Sequence, residues 1–191
     1  GESITEVTLS QWLKKDGEAA PNLLDIGLGS GCIALTLKAK RPNIQLFGLE
    51  KSPGALAVAQ ENANWILGHP EDGFYLGDIF DPHIGRLFPM LDIIVSNPPY
   101  IPRQEQHLMP EHVYGREPAQ ALFVEGADPL IFYRVIAGFA RKKLRPDGAL
   151  FLECNEFNAT SVAALLADSG FSTIELRKDI AGANRMVMGR F

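Results

Sequence analysis

The sequence predicts a doubly wound α/β fold, a mostly parallel seven-stranded sheet with an antiparallel last strand and helices on both faces. Three observations lead there. Short apolar runs rich in Val, Ile, Leu and Phe alternate with segments of helical period, which is how strands buried on both faces read. A glycine-rich turn follows the first of these runs, at the strand end where open sheets of this kind bind ligands. The chain has 191 residues, 46% of them hydrophobic and 21% charged, enough for one domain with a substantial core.

Taken in order, residues 1–20 predict an N-terminal helix near Thr8 to Lys15 and a linker across Gly17 to Pro21. Residues 21–191 hold the sheet domain. Strands are expected at Asn22 to Ile26, Ile44 to Leu49, Gly73 to Leu76, Leu91 to Ser96, Ala149 to Glu153 and Ser172 to Arg177, with the last at Asn184 to Gly189. Between them, Leu56, Ala59, Ala63 and Ile66 mark the inward face of one helix, and Ile131, Val135 and Phe139 that of another. From Ile101 to Asp128 the period fails, broken by Pro102, Pro110, Gly115, Pro118 and Gly126. A long irregular stretch inside a domain is usually functional.

Composition excludes several classes. A net charge of −5 opposes a broad phosphate-binding surface, since duplex affinity rests on clustered Lys and Arg; direct binding of nucleic acid is not expected. No apolar run approaches the roughly 20 residues that cross a bilayer, so no membrane association is expected, and no signal peptide is visible. Cys32 and Cys154 stand among apolar neighbours without metal-ligand spacing, which predicts no disulfide, no metal site and a cytoplasmic setting; Cys32, near a helix start, reads as a buried structural thiol. The sequence specifies no oligomeric state.

The turn reads Asp25-Ile26-Gly27-Leu28-Gly29-Ser30-Gly31 and opens a helical run from Cys32 to Lys40. Glycines let the chain bend sharply and let a ligand approach the backbone. Alone this is also the pattern of a plain strand-to-helix turn. Glu50 closes the second strand, where it can accept from a ribose hydroxyl. After the third strand, Asp78 can accept from an exocyclic amino group and Ile79 can pack on a ring. No GK[ST] follows the glycines, which disfavours a nucleoside triphosphate. Three such elements at successive strand ends predict a nucleoside site.

The fourth strand runs into Ser96-Asn97-Pro98-Pro99-Tyr100. Two prolines fix φ and remove two donors, leaving a stiff arm that presents carbonyls. The Asn97 side-chain oxygen and the Pro98 carbonyl can each accept one N–H of a planar amide or amine, and Tyr100 can flank it. A delocalised nitrogen is a poor nucleophile, so orientation and charge stabilisation must carry the rate.

These residues resemble the PrmC (HemK) family of protein-glutamine N5-methyltransferases that modify peptide chain release factors. The resemblance runs from about Leu23 to the C-terminus. It includes LLDIGLGSGCIAL, DIIVSNPPYIP, Arg116-Glu117-Pro118 leading to Ala121-Leu122-Phe123, the stretch from Asp128 to Arg134, and Lys178-Asp179-Ile180-Ala181-Gly182 with Arg185. It implies a class I methyltransferase (Rossmann-like) fold and methyl transfer from S-adenosyl-L-methionine, with S-adenosyl-L-homocysteine as product. It further implies that Asp25, Ile26, Gly27, Leu28, Gly29, Glu50, Ile79 and Asn97 contact the cofactor beside Asp78. Asn97, Pro98, Pro99 and Tyr100 would hold a release-factor glutamine, and the loop from Ile101 to Gly126 would shape its entrance. NPPY is shared with adenine N6-methyltransferases of DNA and RNA, which form the alternative reading; a nucleoside-binding scaffold without turnover is a third.

Departures are visible too. Leu28 replaces a small polar residue, Glu50 replaces Asp, and Glu153 to Asn158 lacks the Gly and Gln common in the family. The family's helical N-terminal domain is absent, so the chain reads as an excised catalytic domain.

Overall fold

The structure is a computed structural model that describes residues 20–99 and 128–191, together with the backbone of 101–102 and 123–124. The expected helix at Thr8 to Lys15 lies outside the described residues.

Strand β1 (Asn22–Ile26) is buried from Leu23 onward because it lies at the centre of the sheet. It pairs in parallel with β2 (Gln45–Glu50) on one side and β4 (Leu91–Ser96) on the other, Leu23 facing both Leu46 and Ile93. The remaining strands of this sheet are β3 (Phe74–Leu76), β7 (Leu144–Glu153), β8 (Thr173–Lys178) and β9 (Asn184–Arg190), with β3 and β8 at its edges. Their order is β3-β2-β1-β4-β7-β9-β8, and β9 runs antiparallel to both neighbours. All seven expected strands and the reversed last one are present. Two further strands, β5 (Ile101–Pro102) and β6 (Phe123–Val124), pair in parallel as a separate small sheet.

Alternation along the strands divides the core in two. Leu24, Ile94, Leu150, Leu152 and Val187 face α3 (Ile131–Lys143) and α4 (Ala159–Asp168). Leu23, Ile93, Val95, Phe151 and Met186 face α1 (Cys32–Lys40) and α2 (Pro53–Leu67). A strand buried on both faces needs apolar residues at odd and even positions alike, which explains the continuous runs.

Two details differ from the sequence pattern. β7 begins at Leu144, five residues before Ala149, because Leu144 pairs with Leu91 and the ladder then shifts register before Ala149 meets Ile93. Exposed Arg145, Pro146 and Asp147 occupy the shift, and proline supplies no ladder donor. The helix faces are also rotated. In α2, Ala59 and Ala63 are fully buried but Ile66 is 49% exposed; in α3 the buried face is Tyr133, Ile136, Ala137, Phe139 and Ala140, with Ile131 and Val135 at its margin.

Candidate active site

The sheet reverses winding direction between β1 and β4, and open sheets bind ligands at that crevice, outside the carboxyl ends of the strands. A cavity of about 230 Å³ lies there. Four successive strand ends contribute to it: Ile26, Gly27 and Gly29 after β1, Leu49 and Glu50 at the end of β2, Gly77 to Ile79 after β3, and Ser96 to Pro99 at β4.

The turn after β1 is held from outside. Gly27 and Gly29 have φ of +76° and +58°, which side chains disfavour. A Cβ added to Gly27 would meet no protein atom within 4 Å, so backbone conformation and space for a ligand, not packing, call for glycine. The amides of Gly27 and Leu28 both donate to the Leu49 carbonyl, at 2.9 and 3.1 Å. The Asn62 amide nitrogen of α2 donates to the Ser30 carbonyl at 2.8 Å. Leu28 points into the core, where its side chain fills the room left by Gly48; a Cβ on that glycine would sit 2.8 Å from the Leu28 Cδ2. An apolar residue between the two glycines therefore anchors the turn from below.

Glu50 links two parts of the site. Its Oε2 accepts from the Gly29 amide and its Oε1 from the Ser52 amide, both at 2.8 Å, and Ser52 in turn caps α2. A carboxylate has about four lone-pair positions, so each oxygen retains one. Asp78 is similarly placed: Oδ1 accepts from the Phe80 amide at 3.0 Å and Oδ2 lies 2.9 Å from the Lys51 Nζ. Partial burial pushes the Asp78 carboxyl upward, but the Lys51 hydrogen bond, the Phe80 amide and the Lys51 charge together hold it below the usual range. Ile79 is buried and lines the cavity.

Asp25 lies under the turn and does not itself line the cavity. It is 1% exposed and accepts from the Ala34 amide in the first turn of α1, a helix whose N-cap, Gly31, has no side chain to offer. Burial pushes its carboxyl well above the usual range; the Ala34 amide opposes this and the Glu50 charge adds to it. Its Oδ1 is buried with no hydrogen-bond partner among the described residues.

On the acceptor side, Ser96 is buried and its hydroxyl donates to the Ile26 carbonyl at 2.6 Å, tying the end of β4 to that of β1. Asn97 is exposed, Pro98 buried and Pro99 half-buried, and all three line the cavity. Tyr100, Arg116, Glu117 and most of the loop from Ile101 to Gly126 lie outside the described residues. Phe132 and Ile136 of α3 form a further wall, and Phe132 packs edge-on to Phe80 with centroids 5.1 Å apart.

Sequence reasoning assigned no role here to Lys51, Ser52, Ala55, Ser96, Phe132 or Ile136. Lys51 and Ser52 follow Glu50 directly and could have been flagged by adjacency. Phe132 lies in the Asp128 to Arg134 stretch that the resemblance includes, but only the packing of α3 carries it to the cavity.

Two expectations concern residues away from the cavity. Cys32 is exposed, not buried, since α1 turns Ala34, Leu35 and Leu37 inward and leaves its first residue in solvent. Cys154 is buried, and burial with the Glu153 charge, against Arg185, pushes its thiol up to about 11. The late Lys178 to Arg185 segment is the β8–β9 turn: Asp179 accepts from the Ala183 amide at 2.9 Å and from the Arg185 Nε at 3.1 Å, and Gly182 has φ +88°. No group of residues suited to hold a metal ion occurs among the described residues, and no described helix is long and apolar enough to cross a membrane.

Comparison with known proteins points to the same class of fold. A family model described as methyltransferase small domain matches residues 5–127. The chain is 37% identical over 190 residues to a release factor glutamine methyltransferase of Flavobacterium psychrophilum, covering all of this chain and 65% of that protein. It is 39% identical over 186 residues to one from Geobacter sulfurreducens, covering 97% of this chain and 63% of the relative. The chain thus spans just under two thirds of the length of these curated relatives. Among solved structures, precorrin-6y C5,15-methyltransferase from Geobacter metallireducens superposes with a TM-score of 0.63 at 17% identity, covering 97% of this chain and 86% of that one. That likeness concerns the fold, an α/β class I methyltransferase architecture.

Proposed function

The chain belongs to the methyltransferase small domain family, and from that premise we propose that it transfers a methyl group from S-adenosyl-L-methionine to the side-chain amide nitrogen, N5, of a glutamine in a peptide chain release factor. The observation that carries this reading is the meeting of two sets of residues in one cavity: Gly27, Gly29, Glu50 and Asp78 on one side, and Asn97, Pro98 and Pro99 on the other. The catalytic domain spans residues 21–191, and action on a translation factor sets the reaction in the cytoplasm.

The residues fit such a cofactor. Gly27 leaves open space where a Cβ would project, Glu50 keeps a lone pair on each oxygen for ribose hydroxyls, and Asp78 is an ionised acceptor for the adenine amino group with Ile79 beside it for the ring. Asp25 shapes the turn from beneath through Ala34. When bound, the cofactor supplies an electrophilic methyl on a sulfonium.

The acceptor arm does the rest. Ser96 fixes the start of the arm against β1, and the prolines keep it stiff, so the Asn97 oxygen and the Pro98 carbonyl hold their places without reorganising. Each can accept one N–H of the glutamine carboxamide, which aims the nitrogen and stabilises the positive charge it gains as the bond forms. That proton leaves afterwards, so no general base is needed before transfer. Tyr100 would flank the planar amide.

The test is mass spectrometry of a release factor carrying a Gly-Gly-Gln segment, incubated with the chain and S-adenosyl-L-methionine. One added methyl, localised by fragmentation to that glutamine, is expected. A modified residue of another type, or cofactor binding without transfer to any release factor, would overturn the proposal.

A further inference from the structure

Glu50 and Leu76 are register partners at the carboxyl ends of β2 and β3. The residues just beyond, Lys51 and Asp78, therefore project from adjacent strand ends, and both line the cavity. Their side chains meet there at 2.9 Å. We propose that Lys51 is a positioning residue that sets selectivity for the cofactor's base, holding the Asp78 carboxylate in the orientation that reads an exocyclic amino group. This rests on the cavity being an S-adenosyl-L-methionine site.

The two oxygens of Asp78 are engaged from different sides, Oδ1 by the Phe80 amide and Oδ2 by Lys51. The terminal torsion of an Asp side chain is broad. One donor leaves the carboxylate free to pivot about that contact, whereas donors on both oxygens fix its plane. One lone pair per oxygen then remains, in a defined direction. An ionised carboxylate only accepts, so in that direction it favours an N–H and opposes a ring carbonyl. The Lys51 hydrogen bond and charge, with the Phe80 amide, also keep the group ionised against the opposing effect of its burial. The contribution is modest, because the side chains are 77% and 34% exposed and exposed ion pairs are weak and screened by salt.

The experiment is calorimetric binding of S-adenosyl-L-homocysteine and its 6-oxo analogue, S-inosyl-L-homocysteine, to the wild-type chain and to Lys51→Met, Lys51→Arg, Asp78→Ala and the Lys51→Met/Asp78→Ala double variant. The wild type should prefer the amino compound. Lys51→Met should narrow that preference roughly two- to five-fold, the range an exposed pair supports, with unchanged thermal melting, and Lys51→Arg should restore it. In the Asp78→Ala background, Lys51→Met should change nothing further. An unchanged preference in Lys51→Met, or the same loss with and without Asp78, would show that Lys51 does not act through Asp78 and would overturn the inference. A wild-type chain that does not bind S-adenosyl-L-homocysteine would instead defeat the cofactor reading, and the inference with it.

Discussion

The turns that follow β1 and β4 stand side by side at the same end of the sheet and are shaped by opposite means. The first is made of residues free to adopt many conformations, and neighbours hold it in place: the Leu49 carbonyl takes two of its amides, Glu50 a third, and Asn62 grips its Ser30 carbonyl. The second is stiff by its own covalent structure, with Pro98 and Pro99 fixing the backbone and the Ser96 hydroxyl, bonded to the Ile26 carbonyl, setting where it starts. A pliant turn clamped by long-range contacts suits a cofactor that must enter and leave. A rigid arm suits a group that must already be in position when charge develops.

Substitutions in the two turns should therefore fail in different ways. The largest effect is expected at the arm: Asn97→Ala should reduce turnover roughly 100- to 1,000-fold, while cofactor affinity by calorimetry changes much less. Equal losses in both would erase the distinction between the turns. Next is Glu50→Ala, which leaves the amides of Gly29 and Ser52 without their acceptor as well as the ribose; cofactor binding should weaken by about 1 to 3 kcal/mol. Glu50→Asp sharpens the point, because a side chain shorter by one methylene cannot span Gly29 and Ser52 in the same way and should recover only part of that loss.

A smaller effect is expected beneath the turn. The carboxyl of Asp25 is raised in the folded chain, so its contribution to stability is fully present below the unfolded-state value, about 3.9, and is lost as pH rises through the folded value. Asp25→Asn is uncharged throughout, so without cofactor it should melt higher than the parent at neutral pH, and the gap should close as pH falls toward 4. A gap that widens on acidification would mean that Asp25 is favoured as the anion. The smallest test leaves activity aside: a maleimide should label Cys32 in the folded chain and Cys154 only after unfolding.

The same contrast governs what the sequence reveals. The central strands β1, β4 and β7 are legible because burial on both faces leaves unbroken apolar runs, whereas the largely exposed edge strand β8 carries no such run; the proline arm is legible because its stiffness is local. The clamps are not. Nothing near Gly29 announces that Glu50 will reach it, nor does anything near Asp25 announce Ala34. Cys32 misleads because apolar neighbours in sequence turn away from it in α1. Phe132 falls in the Asp128 to Arg134 stretch, yet its place at the cavity is hidden because only the packing of α3 brings it there.

An arm that holds a glutamine amide and one that holds an adenine amine differ in the acceptor they methylate. A single competition distinguishes them most directly. The enzyme is offered labelled cofactor with three acceptors: a release factor bearing the Gly-Gly-Gln glutamine, the same protein with Glu in that place, and adenine-containing single-stranded oligonucleotides. Label should enter the first and neither of the others, since the Asn97 and Pro98 acceptors need the two N–H donors that Glu lacks and a net charge of −5 opposes a polyanion. Label in the oligonucleotide and none in the glutamine protein would make the arm an adenine site and overturn the glutamine reading.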